Sequence, residues 1–112
     1  MSRHQEFRWI YITCSDKAEA RHIARTLLEE RLVACANIFD AITSMYWWEG
    51  EIQEDQEAVV IAKSRADRFT DVKDRVRDLH SYSVPCVIAL PIQEGNPDYL
   101  SWLVKETGAA RD

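Results

Sequence analysis

Cys35-Ala36-Asn37-Ile38-Phe39-Asp40-Ala41-Ile42-Thr43-Ser44-Met45-Tyr46-Trp47-Trp48, followed by Glu49-Gly50, is the stretch that decides the fold. Read as one extended strand at ~3.3 Å per residue it spans roughly 40 Å, more than twice the length of the usual strand of ~5–6 residues. Glu49-Gly50 supplies a two-residue turn, with glycine free to take positive φ, and the chain returns from Glu51 through Val59, Val60 and Ile61 to Ser64. With 49 facing 50, paired positions sum to about 99, which sets Lys63 opposite Cys35 and Asn37 at the far end of the ribbon. Both alternating sets are apolar: Cys35, Phe39, Met45 and Trp47 on one, Ile38, Ile42, Tyr46 and Trp48 on the other. A strand apolar on both sides is buried on both sides. A chain of 112 residues cannot by itself cover both faces and both edges of such a ribbon, so the sequence predicts a homo-oligomer.

Outward from the ribbon, residues 7–14 are aromatic and β-branched and run into Ser15-Asp16, which reads as a strand leading to a helix cap. Asp16 and Glu19 have capping-box spacing, and Ala20, Ile23, Ala24, Leu27 and Leu28 follow at helical intervals. After the ribbon, Asp67 is placed to cap a second helix with Phe69, Val72, Val76 and Leu79 on one face, ending near His80. Val84-Pro85 then breaks the chain before a compact apolar strand over 86–92, whose Pro91 favours an edge position. Asn96-Pro97 opens a short last helix with Tyr99, Trp102 and Leu103 expected to point inward. The order is β-α-β-β-α-β plus a helix. It predicts an α+β, ferredoxin-like antiparallel sheet with helices on one face, in a single domain over 1–112 with flexible tails at 1–6 and 108–112.

Composition narrows the function. Hydrophobic content of 46% is ample for a core without a metal or disulfide. The net charge of −5, from 14 basic and 19 acidic residues, argues against a nucleic-acid backbone as partner. Cys14, Cys35 and Cys86 are odd in number and widely spaced, so neither a disulfide framework nor a CxxC zinc module is expected; reduced thiols in the cytoplasm are the simplest setting. Neither a secretory leader nor a membrane span is expected.

Five stretches carry a family resemblance. They are Arg31-Leu32-Val33-Ala34-Cys35-Ala36-Asn37, then Ser44-Met45-Tyr46-Trp47-Trp48-Glu49-Gly50, Glu57 with Ile61-Ala62-Lys63, His80-Ser81-Tyr82-Ser83-Val84-Pro85, and Tyr99-Leu100-Ser101-Trp102. In order and without evident insertion from about residue 9 to residue 107, the chain resembles the CutA divalent-cation-tolerance family. The resemblance implies a ferredoxin-like, PII-like subunit, a homotrimer built by long hairpins, and a role in metal-ion tolerance, with copper as the metal usually proposed. The chain departs from the family pattern in having Lys63-Ser64 for Lys-Thr, His80-Ser81-Tyr82 for His-Pro-Tyr, and Cys86 where the family usually has glutamate.

Two constellations follow. Cys14 ends the first strand, Cys86 begins the last, and His80 ends the second helix; in a split βαβ sheet the first and last strands are antiparallel neighbours, which brings those ends together. Two thiolates and an imidazole suit copper(I) or zinc. The resemblance supports Cys14 and His80 as metal ligands, and Cys86 extends the set. The competing account has Cys14 as a small buried hydrophobe and His80 as a helix-terminal group. The second constellation is Cys35, Asn37, Trp47, Trp48, Glu57, Lys63, Tyr82 and Trp102, a ligand cleft or subunit interface. A buried Lys63 requires an anion, and Glu57, six residues back on the same strand face, is the nearest. One account has Lys63, Tyr82 and Trp102 recognising a small anionic ligand between subunits; the other, favoured, is a structural ion pair in a trimer interface.

Glu49, Glu51, Glu54, Asp55 and Glu57 lack the spacing of a calcium loop and read as a solvated ribbon tip. No nucleophile signature surrounds Cys14 or Cys35, so an enzyme is not expected. An RNA-recognition sheet would need aromatics where Ala58-Val59-Val60-Ile61 stand. The expectation is a homotrimeric metal-binding protein of copper or divalent-cation tolerance. The alternative is a trimeric PII-like scaffold or signalling module that binds a small anion or a protein and has no dedicated metal site.

Overall fold

The computed structural model describes residues 5–108, the tails expected at 1–6 and 108–112 falling for the most part outside that range. The strands are β1 Phe7–Cys14, β2 Cys35–Trp48, β3 Glu51–Arg65 and β4 Val87–Ile92; the helices are α1 Lys17–Glu29, α2 Phe69–Leu79 and α3 Pro97–Glu106. All pairings are antiparallel in the order β2-β3-β1-β4, the expected ferredoxin-like sheet, with Pro91 on an edge strand. The long hairpin stretches the molecule to 52 × 25 × 22 Å.

One face of the sheet packs on α1 and α2. Ile10, Ile12, Cys14, Ala58, Val60 and Ala62 meet Ala20, Ile23, Leu27, Val72 and Val76 in a continuous core. The α1 cap forms as its spacing predicts, with the Asp16 side chain accepting the Glu19 N–H at 2.9 Å. Leu28 is the exception to the stripe and stands exposed. Asp67 does not cap α2: a 3-10 turn over Ala66–Arg68 intervenes, and Asp67 instead pairs with the buried Arg65 guanidinium at 3.1 Å. The Asn96 cap of α3 forms, its side chain accepting the Asp98 N–H. Leu103 is buried with Phe7 and Ala34 over one end of the second sheet face, whereas Tyr99 and Trp102, expected inward, stand more than a third exposed. The α3 stripe that packs runs through Leu100, Leu103 and Val104.

The hairpin carries one irregularity with a large consequence. Trp48 pairs with Glu51 and Ile42 with Glu57, so the outer half sums to 99; Phe39 pairs with Val59 and Cys35 with Lys63, so the inner half sums to 98. Between them two residues, Asp40 and Ala41, oppose one, Ala58, which is a β-bulge. Directly paired residues share a face. The bulge therefore puts Ile42, Tyr46 and Trp48 on the same face as Cys35 and Phe39, and sends Met45 and Trp47 to the opposite one. The expected grouping of Phe39 with Met45 and Trp47 is corrected accordingly. The face away from α1 and α2 now runs as one surface from Trp9 and Tyr11 through Phe39 and Ile42 to Trp48, with Ile88 and Leu90 on β4.

Candidate functional site

At one end of the sheet, β1, α1 and α2 converge on His80. Its Nδ1 accepts the Tyr82 N–H at 3.0 Å, and Nε2 carries a proton donated to the Thr13 carbonyl at 2.7 Å. Glu19 closes the cluster. Its Oε1 accepts from the Ser15 backbone and hydroxyl, both at 2.9 Å, and its Oε2 accepts the Ser81 N–H at 2.8 Å. Burial alone would raise the Glu19 carboxyl, but the hydrogen bonds from Ser15 and Ser81 outweigh it and hold the group at about 2. Cys14 lies beneath, fully buried; desolvation first, then the charges of Glu19, Glu57 and Asp16, push its thiol up to about 12.

Ligand atoms of Cys14, Glu19 and His80 lie within 4.8 Å of one another, a spacing compatible with a metal ion. With no metal bound, both imidazole nitrogens are hydrogen-bonded, Glu19 accepts three hydrogen bonds and burial favours the Cys14 thiol, so a metal would have to displace these partners and the thiol proton. In this state the group acts as a clasp tying the end of β1 to the start of α1 and the end of α2. Cys86 does not join it. It lies beside Thr13, whose N–H donates to the Cys86 carbonyl at 3.4 Å, and strand alternation turns Thr13 and Cys14 to opposite faces of the sheet. The two thiols expected to share one ion are therefore separated by the sheet. Glu19, which the sequence offered only as a capping residue, takes the place expected for Cys86.

The second constellation also divides. Near α3, Lys63 Nζ donates to Asn37 Oδ1 at 3.0 Å and lies 3.8 Å from Cys35 Sγ, which is 3.2 Å from the Tyr99 hydroxyl; Tyr99 stacks on Trp102. Lys63 makes no ion pair with Glu57. Six residues of extended strand separate them by about 20 Å, and each has a local partner. Glu57, only 8% exposed, accepts the Tyr82 hydroxyl at 2.7 Å through Oε2. Burial and the Glu57 hydrogen bond and charge push the Tyr82 hydroxyl well above the usual phenol range.

Glu57 and Tyr82 line a cavity of about 660 Å³ on the open face, with Tyr11, Thr13, Tyr46, Trp48 and Cys86 among its walls. Lys63 and Trp102 are not part of it, and Trp47 points to the other face. Desolvation and the Glu57 charge raise the Cys86 thiol, against a lowering hydrogen bond from Thr13. Tyr46 donates to Asp55, two residues from Glu57 and on the same face, so two carboxylates in a row are each capped by a phenol. Tyr11 and Thr13, which sequence pattern marked only as strand residues, belong to this wall because they alternate outward from β1.

A family model described as CutA1 divalent ion tolerance protein matches residues 8–106. The divalent-cation tolerance protein CutA of Thermus thermophilus is 48% identical over 99 residues, covering 88% of this chain and 96% of its own. Among solved structures, CutA1 from Oryza sativa superposes with a TM-score of 0.91 at 39% identity, covering 94% of this chain and 96% of that one. The CutA of Archaeoglobus fulgidus, described as a periplasmic divalent cation tolerance protein, gives a TM-score of 0.88 at 42% identity, covering 90% and 98%.

Proposed function

The chain belongs to the CutA1 divalent ion tolerance protein family, and from that premise we propose that it serves divalent-cation tolerance as a non-catalytic homotrimer, one domain per chain, without a resident copper or zinc centre. The observation that carries the reading is the uncovered apolar surface of the hairpin and open face: Trp47 is 71% exposed, and Phe39, Trp48, Ile52, Ile88 and Leu90 are exposed with it. Large contiguous apolar surfaces mark interaction sites. Contacts between unlike surfaces close into a ring when the rotation between copies closes, and a hairpin of one subunit lying over the open face of the next is such a contact. The three free cysteines favour the reducing cytoplasm. No helix among the described residues is long and apolar enough to cross a membrane.

A strain lacking its own copy, challenged with copper or zinc salts, tests the reading. Wild type and His80→Ala together with Cys14→Ser should restore growth equally wherever the variant is folded, while a hairpin variant that dissociates the assembly should not. Stoichiometric copper in anaerobically purified wild-type protein, lost in Cys14→Ser, would restore the metal-centre account.

A further inference from the structure

We propose that the groove between α1 and β2 binds a small phosphate monoester with an apolar body, its phosphate held by Arg21 and Arg25. Lys17, Arg21 and Arg25 recur at four-residue intervals, so they stand one turn apart along a single stripe of α1, and all three are exposed. In a chain of net charge −5 this stripe is a local reversal of sign. The helix has two acids to set against it. Glu19 is turned away into its hydrogen bonds with Ser15 and Ser81. Glu29 pairs with Arg25 at 3.1 Å, while Lys17 and Arg21 form no ion pair among the described residues. Three cations against the one carboxylate of Glu29 leave a surplus of two positive charges along the stripe.

The groove beside the stripe has a volume of about 400 Å³, within the range of small-molecule sites. Arg21, His22 and Arg25 form its basic rim, Leu28, Ala36 and Ile38 its apolar floor, and no acidic side chain lines it. Leu28, which departs from the buried stripe of α1, belongs to that floor. Ala36 and Ile38 pack toward the core under α1 and α2, so the groove lies on the side of the sheet away from the open face on which the proposed assembly lays a neighbour's hairpin. The occupant's chemistry follows from charge and shape. A phosphate monoester carries nearly two negative charges at neutral pH, matching the surplus, whereas a carboxylate carries one. Guanidinium forks bind phosphate oxygens bidentately. Inorganic phosphate alone leaves the apolar floor wet. Nucleic acid needs basic contacts repeated along its backbone, and this stripe ends after about two helical turns.

Isothermal titration of the full-length protein with phenyl phosphate, in about 150 mM salt to screen diffuse charge, tests the assignment. Sodium benzoate keeps the ring with a single charge, and inorganic phosphate keeps the head without the ring. Phenyl phosphate should bind at least about tenfold more tightly than either, a difference of about 1.4 kcal/mol. Arg21→Gln together with Arg25→Gln should erase the preference over benzoate, and Leu28→Ser the preference over inorganic phosphate. All three side chains are exposed, so the fold should survive, and circular dichroism checks it. Equal binding of phenyl phosphate and benzoate, no binding to wild type, or unchanged preferences in the folded variants overturns the proposal. So does tighter binding of a single-stranded oligonucleotide at the same arginines, which would make the stripe a nucleic-acid contact. Light-scattering mass on the same samples reports the trimer separately, so failure of that reading and failure of this one are distinguishable.

Discussion

Glu19 does three things with one carboxylate: it receives the Ser15 hydrogen bonds before α1, the Ser81 N–H after α2, and lies 3.9 Å from the His80 ring. Glu19→Ala should cost about 1–3 kcal/mol in urea denaturation, the range for a charged acceptor whose donors are stranded. Because its folded value is about 2 against an ordinary 4.5, its contribution is complete above pH 4.5 and is lost as pH falls through about 2. Wild type should therefore lose more stability than Glu19→Gln between pH 5 and pH 2.5; parallel losses would contradict the carboxylate's role. Cys14, fully buried with its thiol near 12, should resist iodoacetamide at pH 8 until the protein is denatured. Peptide mass mapping reads this directly, and alkylation of Cys14 in the folded protein would refute it.

At the scale of elements, the hairpin turn has both Glu49 and Gly50 at positive φ, 49° and 84°. Glutamate is strained there and asparagine tolerated, so Glu49→Asn should stabilise the protein by about 0.5–1 kcal/mol, visible as a raised thermal midpoint. The bulge makes a stronger prediction. Deleting Ala41 should leave Asp40 alone opposite Ala58 and give one register along the ribbon, with Trp48 still opposite Glu51 and Trp47 still opposite Ile52, so the faces and the size-exclusion mass should be kept; a changed mass would contradict the face assignment. The turn, the caps of α1 and α3 and the strand order were legible in the sequence through Glu49-Gly50, Asp16 with Glu19 and Asn96-Pro97, whereas the Asp67 cap expected for α2 was displaced by the 3-10 turn over Ala66–Arg68. The bulge was not legible, since a stretch apolar on both parities looks the same with or without a one-residue slip. The orientation of α3 failed for a related reason: Tyr99, Leu100, Trp102, Leu103 and Val104 are all apolar or aromatic, leaving two adjacent stripes to choose from. For the site, sequence brought Cys14 and His80 together, but proximity of strand ends does not fix the face. Pairing Thr13 with Cys86 and applying alternation would have separated the two thiols.

The whole molecule is shaped by what it leaves uncovered. The compact half buries its core against α1 and α2, while the hairpin runs on past the helices with aromatic side chains on both faces. Acidic residues at the tip discourage edge-to-edge pairing, and the apolar surface behind them is left uncovered by the chain itself. The exposed apolar surface is the ground for the assembly proposed above. Native mass by multi-angle light scattering tests that claim most directly. A single species at three times the 13.0 kDa chain mass, unchanged on dilution into the low micromolar range, is the predicted result; a species near 13.0 kDa would contradict it.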